Sequence, residues 1–480
     1  MSATLAAAPA DHRVLDAAKV GNVSAVRSLL RSRAPVDGAE PDGTTALHWA
    51  ARRNDVQVAE LLLENGANAN ATNRYGVTPL GIAATNGSAP ITRALLKAGA
   101  SANGTNGEGE PVLMTASRAG AVDVVNLLLD AGADVNASEA FQGETALMWA
   151  AGEDHPDVVA TLARRGANLN VRSRPLKYPN VKVDFATMVF IAMPKGGFTA
   201  LAFSARQGTV NGARALIEAG ADPNVADPDG TTPLVLAIIN AHYDVAALLI
   251  EKSADVNRAD GVGMSPLYAV VDMAHQEPLV NRPLPVPTGI QRPPDIVRLL
   301  LEHGANPNAA LTAPLMMRQH NNGDPSLGDG ATALMRAAKV SDVPLMRQLL
   351  DGGADANRAM KNGNTALMVA VARAARPAPS EQQTIDAVNL LLQHGADVNA
   401  ANASKETALH LAVGRGDRVV AQLVERGAAL DARDGSGRTP LDVALGVIGT
   451  GRGRGGAPPD PPRVQETTAA LLKRAMESRR

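Results

Sequence analysis

Thr407-Ala-Leu-His410-Leu-Ala, with Gly427-Ala428 beginning seventeen residues beyond His410, decides the fold, because near-copies of this stretch recur along the chain. Gly-Ala pairs begin at Gly66, Gly99, Gly132 and Gly166, in steps of 33, 33 and 34 residues. They return at Gly220, Gly304, Gly353, Gly395 and Gly427, and Ser253-Ala254 stands 33 residues after Gly220. A fixed period near 33 signals a repeat array, in which each copy is stabilised by stacking on its neighbours.

The stretch Tyr75 to Asn103 shows what one copy dictates. Tyr75-Gly76 makes a tight turn, where glycine admits positive φ. Thr78 is placed to cap a helix and Pro79 to occupy its first position, where a missing N–H costs nothing. Leu80, Ile82 and Ala83 form a short apolar face, and Ile91, Leu95 and Leu96 form the stripe of a second helix. Gly99 ends that helix in the left-handed conformation. Asn103 closes the copy, and Asn70, Asn136, Asn170, Asn224, Asn257, Asn308, Asn357 and Asn399 hold the same place. A short amide there is expected to bond local backbone and set the next turn.

Asp42-Gly-Thr-Thr45-Ala-Leu-His48-Trp-Ala-Ala51 and Asp229-Gly-Thr-Thr232-Pro-Leu234 resemble the turn and first helix of the ankyrin repeat family. Leu127-Leu-Leu-Asp-Ala-Gly132-Ala-Asp-Val-Asn136 is similar to its second helix and exit. The resemblance recurs about a dozen times and covers nearly the whole chain. It implies an all-α solenoid with short β-hairpin fingers, a monomer that binds another protein through its fingers and inner helices without catalysis. In that family the histidine of the first helix, here His48 and His410, bonds locally.

An ordinary chain of 480 residues divides into about three domains, but repeats touch only their neighbours and escape that rule. With helices ~8–10 Å apart, twelve copies make an arc roughly 100 Å long. A net charge of −2 names no partner class. The absence of cysteine excludes disulfides and thiolate chemistry and removes the best zinc ligands. Aromatic residues are only 2% of the chain, which speaks against a base-stacking platform, and basic residues are balanced by nearby acids, so no nucleic-acid partner is expected. The longest apolar stretch, Phe185 to Met193, has nine residues, too few to span a membrane. Gly451-Arg-Gly453-Arg-Gly-Gly456 has the letters of a dinucleotide loop without the strand and helix such a loop requires. No cofactor, metal site or catalytic constellation is expected.

Residues 1–10 resemble either the tail of a secretory leader, with small residues at Ala8 and Ala10, or a disordered alanine-rich end. Export, periplasmic or secreted, is favoured over a cytoplasmic location. A capping copy over 11–41 precedes regular copies over 42–170 and a finger-side insertion at 171–194. Copies then run over 195–308, with an insertion between helices at 274–294. A second finger-side insertion spans 309–328. Copies over 329–433 carry an insertion at 373–383, and a cap over 434–480 holds a Gly/Pro-rich insertion at 446–463. Six prolines in 274–294 point to disorder there.

The expected contact surface has three parts. Basic residues just past the first helices are Arg52, Arg53, Arg118, Arg206, Lys339 and Arg415, and cations there also offset the helix dipole. Acidic residues on the fingers are Asp42, Glu108, Glu110, Glu144, Asp229, Asp329 and Glu406; facing bands of opposite charge would orient a polar partner segment. Tyr75 and Phe198 sit on fingers where a side chain should be exposed, and Tyr178, Phe185 and Phe190 make the 171–194 insertion aromatic. Trp49, Trp149, Phe203 and Tyr268 fall at one helix position and read as packing between copies. The alternatives are a ligand-binding or enzymatic pocket under 171–194, and a purely structural accessory protein.

Overall fold

A computed structural model describes residues 11–175, 196–276, 284–313, 327–372, 378–446 and 464–479. The chain forms two compact units, one running to Pro228 apart from residues 178–194, the other from Asp229 onward. The first holds α1 (Arg13–Lys19), α2 (Val23–Arg31), α3 (Ala46–Arg52), α4 (Val56–Glu64), α5 (Pro79–Thr85), α6 (Ala89–Lys97), α7 (Val112–Arg118), α8 (Val122–Asp130), α9 (Ala146–Gly152), α10 (Pro156–Arg164), α11 (Ala200–Gln207) and α12 (Val210–Glu218). The second holds α13 (Pro233–Ile239), α14 (Tyr243–Glu251), α15 (Pro266–Met273), α16 (Pro293–Glu302), α17 (Ala333–Lys339), α18 (Val343–Asp351), α19 (Ala366–Val371), α20 (Glu381–Gln393), α21 (Ala408–Ala412), α22 (Asp417–Glu425), α23 (Pro440–Ala444) and α24 (Glu466–Ser478). Each repeat is one helix pair. Within each unit the first helix of a pair packs on the first helix of the next, and second helices pack on second helices, as α3 on α5 and α4 on α6.

Local signals set the helix ends. Thr78 accepts the Gly81 N–H at 3.0 Å with Pro79 at the first position, and Ser265, Thr199 and Thr332 cap in the same way. Pro111 replaces the hydroxyl cap, and α7 starts without one. At the exit of α6, Gly99 has φ 87° while the Gly99 and Ala100 N–H groups bond back to Leu96 and Leu95. Ser253 and Lys405 take φ 67° and 57° at glycine registers, costing about 1 kcal/mol each. Helices of five to ten residues are marginal alone. Their stability comes from tertiary burial: Leu62, Ile91, Leu95, Leu128 and Leu162 are fully buried, each contributing ~1.5–3 kcal/mol. Ala50, Ala51, Ala83 and Ala84 are equally buried and let neighbouring first helices approach closely.

The fingers are very short hairpins. Among the described residues they hold isolated bridges, such as Ala39 with Thr45 and Ala359 with Thr365, and no strand. Side chains help to shape several of them. Asn73 Oδ1 accepts the Tyr75 and Val77 N–H groups at 3.1 and 3.0 Å, and Asn106, Asp260, Asn402 and Asp434 take the equivalent pairs. A side chain thus satisfies backbone donors at the finger tip and fixes the turn.

The closing asparagines also act differently from the local role expected of them. Asn103 Nδ2 donates to the Gly132 carbonyl at 3.0 Å, and its Oδ1 accepts the Asp134 N–H at 2.8 Å, both in the next repeat. Asn70, Asn136, Asn257, Asn308, Asn357 and Asn399 make the same two bonds onto the following repeat. They are clamps between repeats. The fingers interlock too: a methyl group on Gly76, at φ 73°, would overlap the Gly107 backbone of the next finger.

Part of the proline-rich stretch read as disordered is anchored on α14. Asp244 Oδ1 accepts the Ile290 and Gln291 N–H groups at 3.1 and 2.8 Å, and Thr288 Oγ1 lies 2.9 Å from His242 Nδ1. No helix among the described residues is long and apolar enough to cross a membrane.

His48 joins both kinds of contact. Its Nδ1 accepts from the Thr45 N–H at 3.1 Å and lies 2.8 Å from Thr45 Oγ1, which fixes the tautomer with hydrogen on Nε2. That hydrogen is donated to the Val77 carbonyl of the next repeat at 3.0 Å, so the bonding is not only local. His410 repeats the pattern with Thr407 and Arg438. Burial pushes His48 below its ordinary value of 6.5, outweighing the Val77 carbonyl and Asp42, which favour the charged ring. The unfolded chain therefore binds the proton more readily. This contribution is complete above the ordinary value and is lost as pH falls from there through the depressed folded one. Met114, Met148, Met335 and Met368 fill the same place without titrating. His48→Met is expected to flatten the acid side of the first unit's stability profile, measured as denaturation midpoints from pH 7.5 downward; parallel wild-type and variant profiles would refute this.

Candidate functional site

The polar and aromatic residues of the first unit converge where fingers meet first helices. α3 carries Trp49 and Arg52 on one side of a cleft, while α5 and the residue after it contribute Ile82, Thr85 and Asn86. Fingers supply Asp42, Thr44, Asn73, Tyr75 and Val77, and the cleft encloses about 430 Å³. Asn86 Nδ2 bonds the Ala51 carbonyl at 3.0 Å and fixes the α3–α5 junction. Trp49 is half-buried, with Lys19 Nζ 4.9 Å and the Arg52 guanidinium 5.3 Å from its ring centre. Tyr75 is 60% exposed, with the Arg74 guanidinium 5.0 Å from its ring and donating to its hydroxyl at 2.8 Å. Asp42 accepts the Thr44 N–H at 2.9 Å, and this bond, helped by Arg74, holds its carboxyl below the usual range.

Later repeats of this unit vary the arrangement. The Arg118 guanidinium lies 5.0 Å from the Trp149 ring centre and pairs with Glu110 at 3.1 Å. The Trp149 indole N–H makes no full hydrogen bond, yet it favours the charged form of the nearby Glu144 carboxylate. Burial and the neighbouring Glu139 outweigh that contact and Arg206, and push the Glu144 carboxyl up.

The expected contact residues are only partly brought together. Asp42, Arg52, Arg53, Tyr75, Glu108, Arg118, Glu144 and Arg206 all lie in the first unit, with Arg53 and Glu108 exposed. Asp229, Lys339 and Arg415 belong to the second unit. Arg415 is used internally, donating to the Thr384 hydroxyl at 2.8 Å. Phe198, expected to be exposed, is 4% exposed. Its backbone is tied to Ser173, its ring meets Phe203 edge-on at 5.9 Å, and Arg206 covers it at 5.7 Å. Tyr178, Phe185 and Phe190 lie outside the described residues, as does most of the insertion proposed to roof a pocket. Tyr268 does not share the tryptophan position; it stands one place earlier, at the His48 register, and is fully buried.

Sequence reasoning missed three features. Trp49 was read as packing, yet it lines the cleft. Phe141, an extra residue in its finger, is 73% exposed. In the second unit, Asp272 and Arg336 form a buried ion pair at 2.6 Å, and Arg336 also donates to the His275 carbonyl at 2.7 Å. His275 Nε2 stands 3.1 Å from Asp342, the cap of α18. Burial opposes charge on Asp342, but His275 and the Leu345 N–H outweigh it and hold the carboxyl below the usual range. A charge at an apolar helix register, as in Ala333-Leu-Met-Arg336-Ala-Ala, was the available signal.

Repeated helix pairs, left-handed exits and a polar-aromatic face on the fingers and first helices define a helical-repeat solenoid of the kind that works through surface contact. The chain belongs to the ankyrin repeat family: the family model described as Ankyrin repeats (3 copies) matches residues 14–106, 99–173, 185–260, 294–400 and 373–447. Members of that family are in general protein–protein interaction modules and typically non-catalytic. No curated protein matches the chain.

Proposed function

We propose that this protein is a non-catalytic scaffold that binds a protein partner across the finger and first-helix face of its first unit. The observation that carries the reading is the cleft walled by Trp49, Arg52 and Tyr75, with Tyr75 60% exposed beside it. Trp, Tyr and Arg dominate binding energy at interfaces because they combine large apolar area with directed polar contacts. The frame around them is preorganised: interlocked fingers and asparagine clamps leave little ordering entropy to be lost on binding. Further contacts come from Phe141, Arg53, Glu108, Arg118, Glu144 and Arg206 on the same unit.

Affinity capture from the native organism with wild type and with the Tyr75→Ala/Arg52→Ala double variant tests the reading. Both should show the same helical circular dichroism and melting, and the variant should lose at least one co-purifying protein by about tenfold or more, as expected for hot-spot truncation. An unchanged captured set would remove the reading. Co-purification insensitive to these substitutions would favour the purely structural accessory role instead.

A further inference from the structure

The repeats of the first unit can be compared at equivalent positions. Arg52 and Arg118 hold the same place at the ends of α3 and α7. Trp49 and Trp149 hold the same place in α3 and α9, and Thr44, Glu110 and Glu144 the same place just before each helix start. In the fourth repeat Glu110 supplies the carboxylate that pairs with Arg118 at 3.1 Å. In the fifth, Glu144 lies close enough for the Trp149 indole to favour its charged form, although the Trp149 N–H makes no full hydrogen bond. In the second repeat the same register is Thr44, whose hydroxyl meets Asn73 Nδ2 at 3.4 Å instead. Two donors are left over there. The Arg52 guanidinium makes no hydrogen bond or ion pair among the described residues, and the Trp49 Nε1–H is buried without an acceptor. A buried N–H without an acceptor costs ~1–3 kcal/mol, so an arriving acceptor recovers that loss. The other charges nearby are engaged: Asp42 with Thr44, Arg74 with Tyr75, and Lys19 with Glu40 at 2.6 Å. Trp49 and Arg52 both line the cleft of about 430 Å³.

We infer that the Trp49–Arg52 cleft is completed in trans by the side-chain carboxylate of an Asp or Glu on the partner segment. That carboxylate takes the place that glutamate fills in the fourth and fifth repeats, accepting from the Arg52 guanidinium and the Trp49 N–H. Arginine suits this task, since its planar fork can stack on the indole and present two N–H groups to one carboxylate. Tyr75 on the opposite side then covers the backbone of the bound segment. The inference rests on the reading that this face binds a protein, and it narrows the partner to one with an exposed acidic side chain.

The test uses the full chain labelled with ¹⁵N in its indoles. The protein has two tryptophans, so two indole signals appear, assigned with Trp149→Phe. Titration with N-acetylglutamate amide at constant ionic strength should shift the Trp49 signal saturably, with a dissociation constant on the order of 1 mM, and leave the Trp149 signal in place. N-acetylglutamine amide should bind at least about tenfold more weakly, because it lacks the charge that pairs with Arg52. Arg52→Gln should abolish the shift. Thr44→Glu should move the Trp49 signal without any probe and block the titration. An unmoved Trp49 signal, equal shifts with the two amides, or a shift that survives Arg52→Gln would overturn the inference. Since the probe is a single residue and the readout a single indole, this outcome is separable from the Tyr75-dependent capture of a whole partner.

Discussion

Replacing Arg336 with alanine is expected to destabilise the second unit by about 3–5 kcal/mol, because it strands a buried charge. Asp272 is 2% exposed and its Oδ1 is held by Arg336 Nε at 2.6 Å, while its Oδ2 has no other partner among the described residues. Removing the guanidinium also leaves the His275 carbonyl without its donor. Exchanging both partners for apolar residues of similar volume, Asp272→Leu with Arg336→Met, should recover most of the loss, since a buried pair roughly balances its own desolvation. The measurement is urea unfolding followed by two signals. Trp49 and Trp149 both lie in the first unit, so tryptophan emission reports that unit alone, whereas circular dichroism reports both. The expected result is a circular dichroism transition moved to lower urea while the tryptophan transition stays put. A loss below about 1 kcal/mol for Arg336→Ala would mean that the pair behaves like an exposed one.

Gly76→Ala is the corresponding experiment in the first unit, with an expected cost of about 2–5 kcal/mol. Two effects add. Gly76 has φ 73°, where a side chain is strained, and its new methyl group would overlap the backbone of Gly107, which cannot yield as a flexible side chain could. Gly107 has the reciprocal difficulty, since a methyl group there would overlap the Tyr75 carbonyl. The strain falls on the finger that carries Tyr75, so partner capture should weaken together with stability. Gly99→Ala provides the control: it has a similar φ of 87° but nothing within 4 Å, so only the conformational cost of ~1–2 kcal/mol applies. Equal losses for the two variants would show that the fingers move apart freely, contrary to the packing described. Tryptophan emission is again the readout.

Why some of this was legible in the sequence and some was not follows from the range of each interaction. The Thr78-Pro79 start and the Gly99 exit act within a few residues, so their letters announce them. The closing asparagines are visible as a pattern, but their acceptors lie 28 or more residues away in sequence, where the neighbouring repeat happens to stand. Phe198 was placed on a finger correctly and its exposure wrongly, because the residue that holds its backbone, Ser173, sits on the far side of an insertion. Arg336 and Asp272 are 64 residues apart, and neither letter identifies the other. The cleft is half visible: Tyr75 and Arg52 stand out by their positions, whereas Trp49 reads as packing because aromatic residues recur at its register. What distinguishes it is the threonine at position 44, and that difference has meaning only once α3 and its finger are seen side by side.

The asparagine clamps also explain how the chain tolerates such uneven spacing. Asn70 reaches the next glycine carbonyl across 29 residues, Asn357 across 38, and Asn257 across 47, with bond lengths of 2.8, 2.8 and 3.0 Å. These couplings use the same pair of main-chain atoms on the incoming side, whatever side chains surround them. Successive segments therefore share a common fitting, and extra sequence between the two helices of a pair or on the finger side, which Asn308 spans to Gly353 at 3.0 Å, leaves the joint in place.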